Sequence, residues 1–295
     1  MEFIPAKTII SGYSANNSLF GNNYNMNIYK GCCHGCIYCD SRSECYHVEN
    51  FDEVRAKENA LALIERELKS KRKTGVIGTG AMSDPYNPFE KEFKLTRGAL
   101  ELINRYRFGI SIDTKSDLIS RDIDILKAIS LHSPVLIKMT ITTADDFLCK
   151  KIEPNVAISS ERFATIKKLS DKGVFAGILL MPVLPFLEDN EENISSIIRL
   201  AHENGAKFIY PAFGVTLRQN QREWYYSKLD EHFPSIKRKY IEQYGNAYEC
   251  RSPKAKELWR LFQGECDRLS ISYKMDEIIK NYKHGYRDTQ LSLFD

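Results

Sequence analysis

Apolar and polar positions along this chain change period repeatedly, and each change marks the edge of a strand or a helix. A stretch rich in Ser, Asn and Gly, residues 1–24, shows no sustained period and reads as an irregular lead-in. The first strand is expected at 25–29. From 51 to 70, Val54, Leu61, Ile64 and Leu68 recur at helical spacing, and Lys71-Arg72-Lys73 closes the run where basic side chains suit the helix dipole. A strand at 75–80, a helix at 96–107, a strand at 109–114, a helix at 121–131 and a strand at 135–142 follow. The helix at 160–172 opens on a serine cap and stops at Gly173. The apolar run 174–184 reads as a fully buried parallel strand. Asp189, with Glu192 three residues on, signals the start of a helix at 189–204 that ends at Gly205. The last strand is 206–213.

Repeated strand–helix alternation implies a parallel sheet covered by helices, either a curved barrel or a doubly wound sheet. Periodicity alone does not choose between them. Beyond Thr216 the alternation stops and helices follow near 222–244 and 253–269. No Gly/Pro-rich linker precedes them, so they are expected to dock on the sheet. The expected division is a lead-in at 1–24, a core at 25–215, a helical extension at 216–288 and a tail at 289–295.

Composition adds limits. Hydrophobic content of 43% and charged content of 27% are those of an ordinary globular protein. Residues 1–10 lack the basic, then long apolar, pattern of a signal peptide, and no window reaches membrane-spanning length free of charges. With eight cysteines and no disulfide-like framework, a reducing cytoplasmic setting is expected. A net charge of +3 is too slight to declare a nucleic-acid protein. The extension holds 15 Lys/Arg against 11 Asp/Glu over 218–288, interleaved with aromatics such as Trp224, Tyr225, Tyr240 and Trp259. Such a pattern either contacts phosphates and bases or packs its aromatics inward, and inward packing is the commoner habit.

The chemistry concentrates in Tyr29-Lys30-Gly31-Cys32-Cys33-His34-Gly35-Cys36-Ile37-Tyr38-Cys39-Asp40, directly after the first strand. Cys32, Cys36 and Cys39 form a C-x3-C-x2-C triplet, and close thiolates on one loop are the usual holders of an iron–sulfur cluster. Zinc wants four ligands. Cys33 or His34 would have to supply the fourth, yet adjacent cysteines point poorly at one tetrahedral centre. Three ligands on a four-iron cube leave one iron open.

This spacing resembles the signature of the radical S-adenosylmethionine (SAM) superfamily, and within it the spore photoproduct lyase-like subgroup. The matching residues are Asn27-Ile28-Tyr29-Lys30-Gly31-Cys32, His34-Gly35-Cys36-Ile37-Tyr38-Cys39, Ser83-Asp84-Pro85-Tyr86, Thr114-Lys115-Ser116, Arg121-Asp122, Glu153-Pro154 and the Pro182–Pro185 segment. The resemblance covers about residues 25–215. It implies an α/β fold, a partial six-stranded (β/α)6 TIM-like barrel with a C-terminal helical extension, carrying the cluster loop after its first strand. It implies two cofactors, a [4Fe-4S] cluster on Cys32, Cys36 and Cys39, and SAM on its open iron. Tyr38 matches the residue packed on the adenine; Gly80, Ser83 and Asp84 fall where the SAM amino group is held. Lys115 matches the partner of the SAM carboxylate, and Thr140, with Thr142 close behind, falls at a hydroxyl contact. The implied activity is reductive cleavage of SAM to a 5′-deoxyadenosyl radical, with the electron drawn from a donor protein. Two departures stand out. The lyases carry a cysteine just before the Ser-Asp pair, where this chain has Ala81-Met82, and a tyrosine after the last cluster cysteine, where it has Asp40. Repair of spore photoproduct itself is therefore not expected, unless Cys45 or Cys149 stands in as hydrogen donor; no catalytic residue is assigned.

The chain closes on Gln290-Leu291-Ser292-Leu293-Phe294-Asp295. It resembles the short peptide by which bacterial repair proteins dock on the DNA sliding clamp. Leu293 and Phe294 would fill an apolar pocket, with Leu291 and Gln290 beside it. The leading expectation is a radical SAM enzyme acting on DNA, recruited by the clamp. The alternatives are modification of RNA, a peptide or a small molecule, and a non-catalytic DNA-associated iron–sulfur module.

Overall fold

The computed structural model describes residues 1–13 and 19–286; the tail expected to dock on the clamp lies outside them. Six parallel strands form the centre: β1 (Tyr24–Met26), β2 (Val76–Thr79), β3 (Gly109–Thr114), β4 (Val135–Thr140), β5 (Ala176–Leu180) and β6 (Ile209–Pro211). They pair in chain order, each parallel to the last. This is the strand order of the expected six-step core. The ladder ends at β6 on one side. On the other it ends at an antiparallel strand, Ile10–Gly12, so the lead-in read as irregular contributes an edge strand.

The connecting helices are α1 (Ala60–Ser70), α2 (Leu95–Arg105), α3 (Ile123–Ser130), α4 (Ser159–Asp171) and α5 (Glu191–Glu203). Ile64 and Leu68 of α1 are fully buried, as the helical spacing predicts, each contributing about 1.5–3 kcal/mol by leaving water. Strand residues alternate in role. Ile110 and Ile112 of β3, and Ile137 and Met139 of β4, join the core beneath the helices. The opposite, inner face carries Leu136 of β4, Leu179 of β5 and Phe208.

Several boundaries differ from the sequence reading. The helix expected from 51 begins at Ala60, because Arg55–Lys57 is a strand, sandwiched between Glu2–Ile4 and Tyr29–Lys30 in a small separate sheet. Helix α4 has Ile158, not serine, at its N-cap, and Glu161 accepts the Ile158 N–H at 3.0 Å. Helix α5 is capped by Asn190, whose side chain accepts from Asn193 at 2.9 Å; Asp189 instead accepts from the Phe186 N–H and the Ser252 hydroxyl, both at 2.6 Å.

The extension comprises α6 (Gln221–His232), α7 (Pro234–Tyr244), α8 (Ala255–Arg268) and α9 (Met275–Lys283). Several of its aromatics pack inward, while Trp259 and Tyr248 stay exposed. Tyr225 and Tyr240 are fully buried and share a hydroxyl–hydroxyl bond of 2.9 Å. Helix α9 closes the inner face of the sheet: Ile278 and Tyr282 pack with Phe20, Leu136 and Phe208, and the Tyr282 hydroxyl donates to the Phe20 carbonyl at 2.6 Å. The segment after α8 covers the edge of β6, with the Ile209 N–H bonded to the Ser272 carbonyl at 2.9 Å. No helix among the described residues is long and apolar enough to cross a membrane.

Candidate active site

The cysteine loop leaves the small sheet at Lys30 and must turn at once. Gly31 does this at φ +81°, and a Cβ there would lie 2.5 Å from the Glu53 carbonyl oxygen, so only glycine fits. The Cys32 N–H then donates to the Phe51 carbonyl at 2.8 Å, and the Ile37 N–H to that of Ile152 at 2.9 Å. The extension completes the support. Trp224 Nε1 donates to the Cys36 carbonyl at 3.2 Å, and Gln221 Nε2 to the Tyr38 carbonyl at 3.0 Å, both from α6. Arg42 stacks on the Trp224 ring at 3.8 Å. Asp40 accepts from the Tyr46 hydroxyl at 2.8 Å and pairs with Arg218 at 3.2 Å, tying the loop exit to the chain entering α6.

All three thiols of the triplet are partly or fully buried and unoxidised. Burial, with the Asp84 charge adding to it, pushes Cys32 up to about 12. Burial likewise raises Cys36 and Cys39, against the opposing charge of Lys115. Three thiols held in one loop beside a cation are a fitting donor set for a thiolate-bound cluster, whose binding displaces their protons. Among the described residues, no three Cys, His, Asp or Glu side chains converge as ligands of a single ion would.

Around the loop stand the strand ends. Gly80 follows β2 at φ +102°, where a Cβ would meet the Asp113 carbonyl oxygen at 2.0 Å. Ser83 and Asp84 are buried just beyond. The Asp84 carboxylate accepts from the Thr114 hydroxyl, the Lys115 N–H and the Tyr86 N–H, each at 2.8 Å, and faces His34 Nδ1 at 3.6 Å. The strand-2 and strand-3 loops and the cysteine loop therefore meet on one carboxylate. Lys115 lies 5.5 Å from the centre of the Tyr38 ring. Burial works against its charge, but Cys36 and Glu153 outweigh that and hold its pKa above the ordinary lysine value.

The Tyr38 hydroxyl donates to Glu153. Glu153 pairs with Arg162 at 2.5 Å, and Arg162 donates to the Thr140 carbonyl at 2.8 Å, all three groups buried. This chain joins the cysteine loop to the end of β4. Cys36, Tyr38, Asp84, Lys115 and Thr140 thus belong to one connected cluster. Sequence reading missed His34 as a partner of Asp84 and missed Arg162 and Gln221 altogether, and it named Trp224 only as one of the extension's aromatics, not as a partner of the cysteine loop. Only Glu153 had a signal, as part of the Glu153-Pro154 pair. Of the substitute thiols, Cys149 is buried between Glu153 (3.8 Å) and Arg162 (3.7 Å), and Cys45 is exposed, 3.6 Å from Arg218.

A parallel α/β sheet with a thiol loop, a half-buried lysine and a buried carboxylate at the C-terminal strand edge defines a cofactor-dependent enzyme whose reactive face is that edge. Residues 26–201 match the family model described as the radical SAM superfamily, and the chain belongs to that family. It is 28% identical over 230 residues to an uncharacterised protein of Mycobacterium tuberculosis, covering 75% of this chain and 67% of that one. An uncharacterised protein of Methanocaldococcus jannaschii is 37% identical over 174 residues, covering 58% and 64%. Among solved structures, a spore photoproduct lyase variant superposes with a TM-score of 0.65 at 14% identity, over 90% of this chain and 79% of that one. The radical SAM methyltransferase TsrM from Kitasatospora setae gives 0.54 at 11% identity, over 83% and 51%. At these identities the likeness establishes the fold, and that fold is the one spore photoproduct lyase shares. The chain is a radical SAM enzyme, with a [4Fe-4S] cluster and SAM as its cofactors and a requirement for an electron donor.

Proposed function

We propose that this enzyme acts on DNA, in repair or modification, and that the sliding clamp recruits it through Gln290, Leu291, Leu293 and Phe294. Cys32, Cys36 and Cys39 would hold the cluster, which when bound and reduced supplies the electron that cleaves SAM to a 5′-deoxyadenosyl radical. This chain's own residues bind and orient. Lys115 pairs with the SAM carboxylate. Gly80, Ser83 and Asp84 receive the amino end, Asp84 already being fixed by Thr114 and the Lys115 N–H. Tyr38 and Thr140 flank the nucleoside, both steadied through Glu153 and Arg162. Helix α9 and Phe20 close the far side of the sheet to water.

The observation that carries the site assignment is the placing of the cysteine loop beside Lys115, whose charge Cys36, Glu153 and Cys39 support. The DNA reading rests on two supports. A structurally similar spore photoproduct lyase (TM-score 0.61, 16% identical) was solved with SAM and a dinucleoside photoproduct bound, and the clamp-like tail adds local concentration at DNA. The test is anaerobic SAM cleavage by the reconstituted full chain and by a chain ending at Thr289, each with clamp-loaded DNA. Cleavage without DNA should be equal for both, and stimulation by clamp-loaded DNA should be confined to the full chain. Equal clamp affinity for both, or none for either, would refute recruitment; absence of any response to DNA would favour RNA, a peptide or a small molecule.

A further inference from the structure

A cleft of about 480 Å³ opens on the same strand edge as the cysteine loop, bounded by the loops after β2 and β3, by the segment 154–157 that precedes α4, and by Lys168 in the last turn of α4. His34 forms part of its wall. Lys91 and Lys168 both line it, and both side chains are exposed. Neither has an ion-pair partner among the described residues, whereas Lys167, next to Lys168 on α4, is paired with Asp171 at 3.3 Å. Arg121 also lines the cleft, but its charge is spent on Glu90 (3.0 Å) and Asp122 (2.8 Å). Asp117 is the one acid in the lining, among Ser116, Ser120 and Asn155. Two other clefts have the opposite character. One is lined by Asp145 and Glu192 without a cation, the other by Glu2, Asp52 and Glu53 with Arg55. Two ammonium groups without ion-pair partners, set against the single carboxylate of Asp117 in one polar, open cleft, leave a net positive potential that an oxyanion relieves, and lysine suits phosphate as a point charge.

We infer that this cleft takes the phosphodiester backbone of a nucleic acid and so lays the strand beside the cysteine loop. The inference rests on the DNA reading and gives it a place on the surface. It also explains how a chain of net charge +3 could hold DNA at all: the useful charge is local rather than global.

The test is binding of a fluorescently labelled mixed-sequence 12-mer DNA to the reconstituted full chain between 50 and 300 mM salt, with inorganic pyrophosphate as competitor. Each phosphate contact contributes about −0.9 to the slope of log K against log salt. Lys91→Ala with Lys168→Ala should therefore flatten the slope by about 2 units and weaken binding about tenfold or more at 0.1 M salt. SAM cleavage without DNA should be unchanged. Lys167→Ala, which removes a charge from the same helix outside the cleft, should leave the slope within about half a unit of the parent. DNA binding whose slope is indifferent to the double substitution, or falls equally with Lys167→Ala, overturns the cleft while sparing the DNA reading. Lysine-dependent binding of pyrophosphate without DNA binding overturns both, and assigns the cleft to a small phosphorylated ligand. No binding of either probe likewise overturns both.

Discussion

Arg162→Met is the substitution that best separates the site's scaffold from its chemistry. Arg162 and Glu153 are 0% and 1% exposed at the side chain and 2.5 Å apart. Removing the cation leaves the Glu153 carboxylate buried, with the Tyr38 hydroxyl, the weak Cys149 thiol donor and the more distant Lys115 charge to steady it. Breaking a buried pair in this way costs about 3–5 kcal/mol. The Arg162 bonds to the carbonyls of Thr140 (2.8 Å) and Ala157 (2.7 Å) are lost as well. For a chain of this size that should lower Tm by about 5–15 °C. Adding Glu153→Gln removes the stranded charge while keeping an acceptor for Tyr38. The double variant should therefore recover at least about 2 kcal/mol relative to the sum of the two single changes, the coupling expected of contacting partners. Urea unfolding of the anaerobically purified proteins, with iron content measured in parallel, reads both effects. Additive single and double variants would show that the pair is not coupled. Full iron content and full SAM affinity in a strongly destabilised Arg162→Met would show that the pair supports the fold and not the placing of Tyr38.

Two further outcomes are expected. Lys115→Ala should weaken SAM binding by roughly 10- to 100-fold, the equivalent of one charge-assisted hydrogen bond, and leave iron content unchanged; unaltered affinity in titrations at moderate salt would remove Lys115 from the site. Glu188 is fully buried, one carboxylate oxygen accepts from the Leu184 N–H at 2.8 Å, and burial outweighs that bond and the nearby Thr142 hydroxyl to push its pKa up to about 8. The native state then keeps a proton that the unfolded chain releases above about pH 4.3, so stability falls as pH rises from there through 8 and levels off beyond. Glu188→Gln should abolish that slope and be the more stable protein by roughly 3 kcal/mol at pH 7; a difference between the two that is constant from pH 5 to 9 would contradict the assignment.

What the sequence made legible follows the range of the interactions involved. Strand β3 was expected at 109–114 and is found there, because its Ile110 and Ile112 answer to a period-2 pattern within six residues. The cysteine loop was legible because its ligands are seven residues apart at most. The three-residue strands Glu2–Ile4 and Ile10–Gly12 are too short to carry a period and exist through pairing with distant partners. The early start expected for α1 has a similar cause. Phe51 and Val54 are apolar for the small sheet and its surroundings, not for a helix face. Arg162, Gln221 and Trp224 reach the loop from far along the chain, and a single sequence does not announce such pairings. The aromatics of the extension were ambiguous because composition says what a side chain can do, and burial decides which it does.

That last distinction changes what the extension is for. Cys36, Ile37 and Tyr38 share one apolar cluster with Leu217, Tyr225, Leu229, Ile236 and Tyr240, so the loop and the extension have a common core. Trp224 and Gln221 satisfy two backbone carbonyls of the loop itself, and buried carbonyls left unpaired would each cost about 1–3 kcal/mol. Asp40, the departure from the lyase pattern, is what reaches out to Arg218 at the entrance to this region. A tyrosine at that position would offer no charge to Arg218, and an alanine at 218 would leave Asp40 with only the hydroxyls of Tyr46 and Ser43. The departure at Asp40 and the presence of α6 are therefore two halves of one arrangement. The other departure, Ala81-Met82, has no such compensation: the two thiols that could replace the missing donor are committed elsewhere, Cys149 inside the Glu153–Arg162 pair and Cys45 on the surface beside Arg218. The support of the cysteine loop thus runs through Asp40, Arg218 and α6, while Ala81-Met82 offers no thiol beside Ser83-Asp84. A substrate other than spore photoproduct is the reading consistent with both changes.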